Sequence, residues 1–369
     1  MNTILPNIKT GKKQHPMTQK RIAQLIDQLA DTHMIPVDDL RYLLDHICVE
    51  DTSYLFDTAH KVKQPYYQNR VFLRGLIEIS NYCSKGCHYC GINRTNKNVQ
   101  RYRLDKETIL ECCRRGYDLG YKTFVLQAGE DPALTDEFLC EVIKSIKTTY
   151  PDSRISLSLG ERSFASYIAL YQAGADRYLL RHETASKRLY EHLHPNDSSF
   201  ENRRQCLDNL KVIGYQTGSG CMVGSPSQTN DDIVQDLLYL HQLQPHMVGV
   251  GPYLCHEDTL LRGNQSGTLL ETYIILALVR LILPQAMLPA TTALGTLDKL
   301  GRENALFVGA NVMMPNIGPK EYLEAYQIYQ NKQLAKDTDE SNRDNTKKRI
   351  EAFGHIADFS VGDVHTWEG

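Results

Sequence analysis

The stretch Val71-Phe72-Leu73-Arg74-Gly75-Leu76-Ile77-Glu78-Ile79-Ser80-Asn81-Tyr82-Cys83-Ser84-Lys85-Gly86-Cys87-His88-Tyr89-Cys90-Gly91 joins an apolar, β-favouring run to a loop with three cysteines in eight residues. The run predicts a strand over Phe72-Ile79, and the cysteines follow its C-terminal end. Three thiolates this close can each ligate one iron of a cubane 4Fe-4S cluster, with Ser84-Lys85-Gly86 letting the chain wrap around it, and the fourth iron then lacks a protein ligand. The competing reading is a three-cysteine zinc knot completed by His88 or a distant histidine. Closed zinc sites usually pair two short chelating loops, and no second Cys/His pair of suitable spacing occurs.

Outward from this stretch, short apolar runs alternate with amphipathic ones. Further strands are expected at Thr123-Ala128, Ile155-Leu159, Arg177-Arg181, Gln216-Val223, His246-Gly251, Ala286-Ala290 and Gly309-Met313. Helices are expected at Lys106-Leu119, Thr135-Thr148, Phe164-Ala173, Glu201-Ile213, Asn230-Leu243 and Leu269-Leu283, with Thr292-Asn304 less regular. Gly120, Gly174 and Gly214 follow helical runs, where a left-handed residue commonly closes the helix. Eight strands joined by helices predict an α/β chain folded as a (β/α)8 TIM-type barrel; an open doubly wound sheet is the main competitor. Polar residues clustered just after strand ends favour the barrel, which keeps its chemistry there.

Residues 1–70, with Ile22, Leu25, Ile26 and Leu29 and then Leu40, Leu43, Leu44 and Ile47 at helical spacing, form an expected N-terminal helical extension. Residues 71–330 form the barrel. Residues 331–369 read as a charged C-terminal tail, mobile or at the surface from Asn331 to Arg349, with Asp337, Asp339, Glu340, Arg343, Asp344, Lys347 and Lys348.

The 369 residues carry 41 Lys+Arg against 44 Asp+Glu. That balance gives no basic field to hold nucleic acid. The charge-free stretch Leu281 to Leu297, interrupted by Pro284, Gln285 and Pro289, falls short of a membrane span. The start, with Lys12, Lys13, Lys20 and Arg21, lacks the apolar core of a secretory signal. A cytoplasmic protein is expected, its ten cysteines reduced rather than paired. Cys112, Cys113, Cys140 and Cys206 fall in helices as packing residues, and Cys221 lies nearer the active face.

The C-x3-C-x2-C loop after a first barrel strand, with Tyr89 before the last cysteine, resembles the radical S-adenosylmethionine (SAM) enzymes. The resemblance implies one 4Fe-4S cluster on Cys83, Cys87 and Cys90, whose open iron chelates SAM and whose electron cleaves it to methionine and a 5'-deoxyadenosyl radical. Gln127-Ala128-Gly129-Glu130 looks like the family's Gly-Gly-Glu segment; the bland alternative is an ordinary glycine turn. Arg181 and Glu183 face the same way by strand alternation, His182 the other way. They form either a surface salt bridge or a clamp at the barrel mouth. Arg203 is either a solvated helix arginine or a clamp for the methionine carboxylate. Gly220-Cys221-Met222-Val223-Gly224-Ser225-Pro226 resembles the segment that packs on adenine. Tyr89, Gly129, Glu130, Ser158, Glu183, Arg203 and Met222 are the implied cofactor contacts.

Residues 70 to 330 are similar, more narrowly, to the HydE family of FeFe-hydrogenase maturases. The likeness is carried by residues 87–98, Arg101-Tyr102-Arg103, Val125 to Pro132, Ser156 to Glu161, Arg177 to Ala185, Ser199 to Arg203, Pro289 to Thr296 and Gly309 to Asn316. It implies work on an iron carbonyl/cyanide/cysteine complex supplied by the maturase HydG, radical attack at the cysteine-derived sulfur, and passage to the maturase HydF, with ferredoxin or flavodoxin as electron donor. Gln127, Ser156, Arg181, Thr291, Thr292, Tyr326 and Tyr329 would line the substrate cavity, Arg181 also acting in catalysis as the buried cation for an anionic complex. For Tyr326 and Tyr329 the alternative is helix packing at i, i+3. No cysteine follows Cys255, so the second Fe-S site of many members is not expected, and Gly224-Ser225-Pro226-Ser227-Gln228-Thr229 departs from the family's Gly-x-Pro-Gly-Gln-Thr. Alternatives are a methylornithine synthase-like or biotin synthase-like enzyme, or a non-catalytic Fe-S carrier.

Overall fold

The computed structural model describes residues 16–332 and 339–367. The charges at Lys12, Lys13 and Asp337 lie outside the described residues.

The strands are β1 (Arg70–Leu73), β2 (Gly75–Ser80), β3 (Thr123–Ala128), β4 (Arg154–Ser158), β5 (Arg177–Leu179), β6 (Gln216–Ser219), β7 (Met222–Val223), β8 (Met247–Val248), β9 (Gly251–Pro252), β10 (Val312–Met313) and β11 (Ile356–Asp358). A parallel sheet runs β2-β3-β4-β5-β6-β8. The ring continues through the bridges Met247 to Met287 and Pro289 to Val312. It reaches β10, which pairs with β1. The circuit is therefore closed, as eight strand positions and right-handed crossovers require.

The expected strand 72–79 is two strands, because the chain changes partners at Arg74: β1 takes β10 and β11 as neighbours, β2 takes β3. Gly75 permits the change, since a Cβ there would lie 2.5 Å from Ile317 Cδ1. Expected strand 216–223 likewise divides into β6 and β7 around Gly220, whose φ is +155° and whose Cβ would meet the Gly249 carbonyl at 2.2 Å. Ala286-Ala290 is extended but keeps only the two bridges. Pro289 has no N–H to donate to a ladder, and Pro284 precedes the segment.

Helices α1 (Pro16–Thr32), α2 (Val37–His46) and α3 (Val49–Tyr67) precede the barrel; α4 (Lys106–Asp118), α5 (Asp136–Thr149), α6 (Phe164–Ala173), α7 (Lys187–Leu193), α8 (Phe200–Ile213), α9 (Asn230–Leu243), α10 (Leu269–Ile282), α11 (Thr292–Leu297) and α12 (Gly301–Val308) surround it; α13 (Asp339–Ala352) follows. Their boundaries follow from side-chain caps. Ser163 accepts from the Ser166 N–H at the start of α6, and Thr229 forms a capping box with Asp232 at α9, satisfying donors that a helix start leaves free. Gly174 and Gly214 close α6 and α8 at φ +114° and +106°, and Gly120 lies just past α4 at +94°.

The N-terminal helices bury Ile22, Ile26, Leu29, Leu40 and Leu43 completely. From α3, Lys63 reaches the Leu306 carbonyl at 2.9 Å and that of Ala310 at 3.3 Å, tying this layer to α12.

The segment beyond residue 330 departs from the expected charged tail. In its described part, β11 extends the barrel sheet in register with β1, Arg70 opposite Ile356 and Phe72 opposite Asp358. Asp363 then turns under the barrel to Arg177 at 2.6 Å and Arg154 at 2.9 Å. The charge run reads as solvated because its partners, such as Arg115 for Asp339 and Glu303 for Arg349, are distant in sequence. Among the described residues no helix is long and apolar enough to cross a membrane.

Candidate active site at the barrel mouth

The loop after β2 is held by amides and one guanidinium. Asn81 donates to the carbonyls of Gln100 and Ala325 at 2.8 and 2.7 Å. Arg101 donates to the carbonyls of Asn81, Ile92 and Asn93 at 2.5 to 2.8 Å, and Asn93 holds the Cys90 carbonyl at 2.6 Å. These bonds fix the backbone around Cys83, Cys87 and Cys90. Burial pushes the Cys90 thiol up to about 12 and raises Cys83 and Cys87 as well. Three thiols that resist ionisation in each other's company suit a cationic group able to hold all three as thiolates. His88 gives its Nδ1 to the His192 carbonyl at 2.9 Å.

The loop after β3 packs directly on the cysteine loop. A Cβ at Gly129 would lie 2.3 Å from the Tyr82 carbonyl and 2.7 Å from Cys83 Cβ, so only glycine fits. The Glu130 N–H points at Cys83 Sγ, 3.3 Å away, and the Glu130 carbonyl accepts from the Ser84 N–H at 2.8 Å. Glu130 Oε1 accepts from the Glu161 N–H at 3.0 Å. Lys85 lies 3.5 Å from Glu130 and 3.3 Å from Glu161, and Arg203 Nε is 2.9 Å from Glu161 Oε1. Arg203, on α8, is 8% exposed, a buried member of a charge lattice and not a solvated helix arginine.

Arg181 and Glu183 face each other at 3.4 Å, and Arg181 donates to the Cys221 carbonyl at 2.6 Å. The buried Arg181 Nε, Glu183 Oε2 and Thr291 Oγ1 have no hydrogen-bond partner among the described residues. Buried polar atoms rarely stay unpaired; others among the described residues are Arg74 Nε, Arg177 Nε and Asp236 Oδ2. Arg181 Nε, Glu183 Oε2 and Thr291 Oγ1 are set apart by lying just after strand ends at the mouth, where they can meet a polar ligand. His182 turns the other way, to Ser219 and Asp236. Met222 is 5% exposed and packs with Leu189, Leu193, Tyr253 and Leu261, Tyr89 lying against the same cluster. That is an apolar wall suited to a flat base.

Gln127 and Ser158 are paired in register at the upper ends of β3 and β4. Ser156 is a layer lower, lining a cavity of about 10 Å³ with Arg74, Arg177, Gln216 and Met287; it belongs to the barrel floor, apart from Gln127 and Ser158. Thr291 caps α11, and Thr292 begins it. Tyr326 and Tyr329 do not share a helix face, because the 3-10 turn Lys320–Ala325 ends before them. Tyr326 is buried at 2%, with the Lys332 ammonium 4.7 Å over its ring. Lys332 also ion-pairs with Glu78 of β2.

Sequence reasoning assigned no role to Glu161, Lys85, Arg101 or Glu78. Glu161 follows the end of β4, the position that signals chemistry in a barrel; Arg101 and Lys85 carry no such local mark.

The radical SAM superfamily model matches residues 77–240. The [FeFe] hydrogenase maturase subunit HydE of Thermotoga maritima is 45% identical over 85% of this chain and 90% of its own length. A 3-methylornithine synthase of Methanosarcina acetivorans is 30% identical over 89% of this chain and 92% of its own. The crystal structure of methylornithine synthase PylB superposes with a TM-score of 0.80 at 28% identity, covering 90% of this chain and 97% of that one. Radical SAM enzymes use a 4Fe-4S cluster and SAM, and the thiol trio and the unpaired polar atoms fit both groups. The cysteine loop, its glycine-dependent neighbour and a likeness running the length of the barrel agree: the chain is a radical SAM enzyme and belongs to the HydE family.

Proposed function

We propose that this enzyme takes part in building the diiron active site of FeFe-hydrogenase, acting in the cytoplasm on an iron complex that carries carbonyl, cyanide and cysteine ligands. Support comes from the 45% identity to HydE over 85% of the chain, which is the single observation that carries the reading. Arg181 Nε, Glu183 Oε2 and Thr291 Oγ1, buried without hydrogen-bond partners among the described residues, are in keeping with it. Cys83, Cys87 and Cys90 would hold one cluster. Glu183 and Arg203, with Gly129, Glu130, Ser158, Tyr89 and Met222, would hold SAM. A cluster and SAM held there would supply one-electron reductive cleavage of SAM to methionine and a 5'-deoxyadenosyl radical, with the cysteine-derived sulfur as its proposed target.

The chain's own residues position and protect. Arg181 supplies positive charge to an anionic complex, and Thr291, Thr292 and Gln127 offer hydrogen bonds to its ligands. Tyr326 and Tyr329 close the mouth, keeping water from a reactive intermediate. Ser156 remains a substrate contact in this proposal only if the complex reaches the floor layer. The expected partners are HydG as supplier, HydF as recipient and ferredoxin or flavodoxin as reductant.

The test is anaerobic reconstitution with iron and sulfide, reduction, and assay for 5'-deoxyadenosine, followed by complementation of a hydrogenase maturation mixture lacking its HydE. Hydrogenase activity restored by the wild type is the expected result; SAM cleavage without restoration rejects the proposal. The second reading, a methylornithine synthase, is favoured by the PylB superposition, and formation of 3-methylornithine by the reconstituted enzyme would establish it.

A further inference from the structure

Glu183 has a backbone φ of +66°, a left-handed conformation that side-chain-bearing residues rarely adopt unless their surroundings impose it. On one side its N–H bonds the Gly220 carbonyl at 3.0 Å, and its carbonyl accepts from the Met222 N–H at 3.0 Å. On the other side stands Asp236 of α9, fully buried. Asp236 Oδ1 accepts from the Ala185 N–H and lies 3.3 Å from His182 Nε2. One carboxylate oxygen therefore grips the chain both before and after Glu183. His182 is oriented in turn by Ser219 Oγ at 2.9 Å from Nδ1.

We infer that Asp236 is a positioning residue for SAM: through His182 and the Ala185 N–H it holds the 182–185 turn in the form that aims the Glu183 carboxylate into the mouth. The inference rests on Glu183 as a SAM contact. His182, Cys221 and Asp236 place ligand atoms within 4.8 Å of one another. Hydrogen bonds account for His182 and for Asp236 Oδ1, while Asp236 Oδ2 has no partner among the described residues, so the experiment includes a metal arm. With the Nε2 proton donated to Asp236, Nδ1 accepts from the Ser219 hydroxyl. Burial raises the Asp236 carboxyl, and the His182 and Ala185 hydrogen bonds oppose the shift without cancelling it. Partners behind a ligand-binding group commonly govern its affinity by about 10- to 100-fold.

The experiment titrates SAM into the anaerobically reconstituted, reduced full-length chain and follows the change in the cluster's EPR signal, alongside steady-state SAM cleavage. D236A should keep its iron and sulfide content yet require at least about tenfold more SAM, with the effect in KM and not in kcat. D236N, whose amide oxygen still accepts the Ala185 N–H, should recover most of the affinity. Wild-type SAM dependence in D236A overturns the inference, as does equal damage in D236A and D236N. E183Q separates the two layers of argument: an unchanged E183Q refutes Glu183 as a SAM contact, whereas a weakened E183Q beside an unaffected D236A refutes the role of Asp236 alone. Should D236A fail to fold, S219A loosens His182 with Asp236 in place, and an unchanged SAM dependence there overturns the inference. One equivalent of zinc or extra iron in the wild type that C221S loses would also overturn it, in favour of a metal centre.

Discussion

The two ends of this barrel treat their arginines in opposite ways. At the floor, Arg177 donates to Thr123 Oγ1, the Val361 carbonyl and Asp363, and Arg74 to Met247 Sδ and the Gly362 carbonyl. Their Nε atoms lack partners, but each guanidinium is gripped by the 361–363 turn. At the mouth, Arg181 has one backbone carbonyl and a loosely placed Glu183. Charge that the chain buries and compensates for itself is architecture; Arg181, with its side chain 31% exposed and few partners from the chain, is charge left open to a ligand.

The contrast can be broken by mutation. The largest expected effect is at the mouth: Cys87→Ala should abolish 5'-deoxyadenosine formation and iron retention, whereas Cys140→Ala, half-buried in α5, should keep both, as anaerobic assay and iron quantitation would show. At the floor, Asp363→Ala leaves Arg177 without its carboxylate, while Arg154 keeps Asp176 at 3.4 Å, and should cost about 3 kcal/mol in a denaturant titration. Its SAM cleavage per loaded cluster should stay at the wild-type level; a selective loss of activity would erase the distinction between the two ends.

A smaller effect concerns the base-rich layer between α3 and the floor. Burial, with Lys63 next, pulls His60 and His355 from 6.5 to about 4. The unfolded chain then binds more protons between about pH 4 and 6.5, so these histidines destabilise the fold progressively as pH falls through that window. His60→Asn with His355→Asn should flatten the fall of Tm from pH 6.5 to 4 relative to wild type. The SAM dependence at the mouth should not follow.

Much of this arrangement was readable from residue order. The bounds of α6 and α9 coincide with expectation because Ser163, Gly174 and Thr229 punctuate the chain locally. The cysteine loop was legible for the same reason: its chemistry lies within eight consecutive residues. What escaped depends on partners far apart in sequence. Glu161 gains its meaning from Lys85 and Arg203, Asp236 from His182 and Ala185, and the tail from strands it meets only after folding. The expected strand over 286–290 keeps its place in the ring through backbone bonds to residues 246–248 and 311–312, but as isolated bridges, because Pro289 lacks the N–H for a continuous ladder.

Because β1 is flanked by β10 on one edge and β11 on the other, the segment leading into the cysteine loop cannot be locked until residues 356–358 have emerged and docked. On the ribosome the ring itself can close once β10 has emerged to pair with β1, a non-local contact that is intrinsically slow, and β11 then adds the second edge partner.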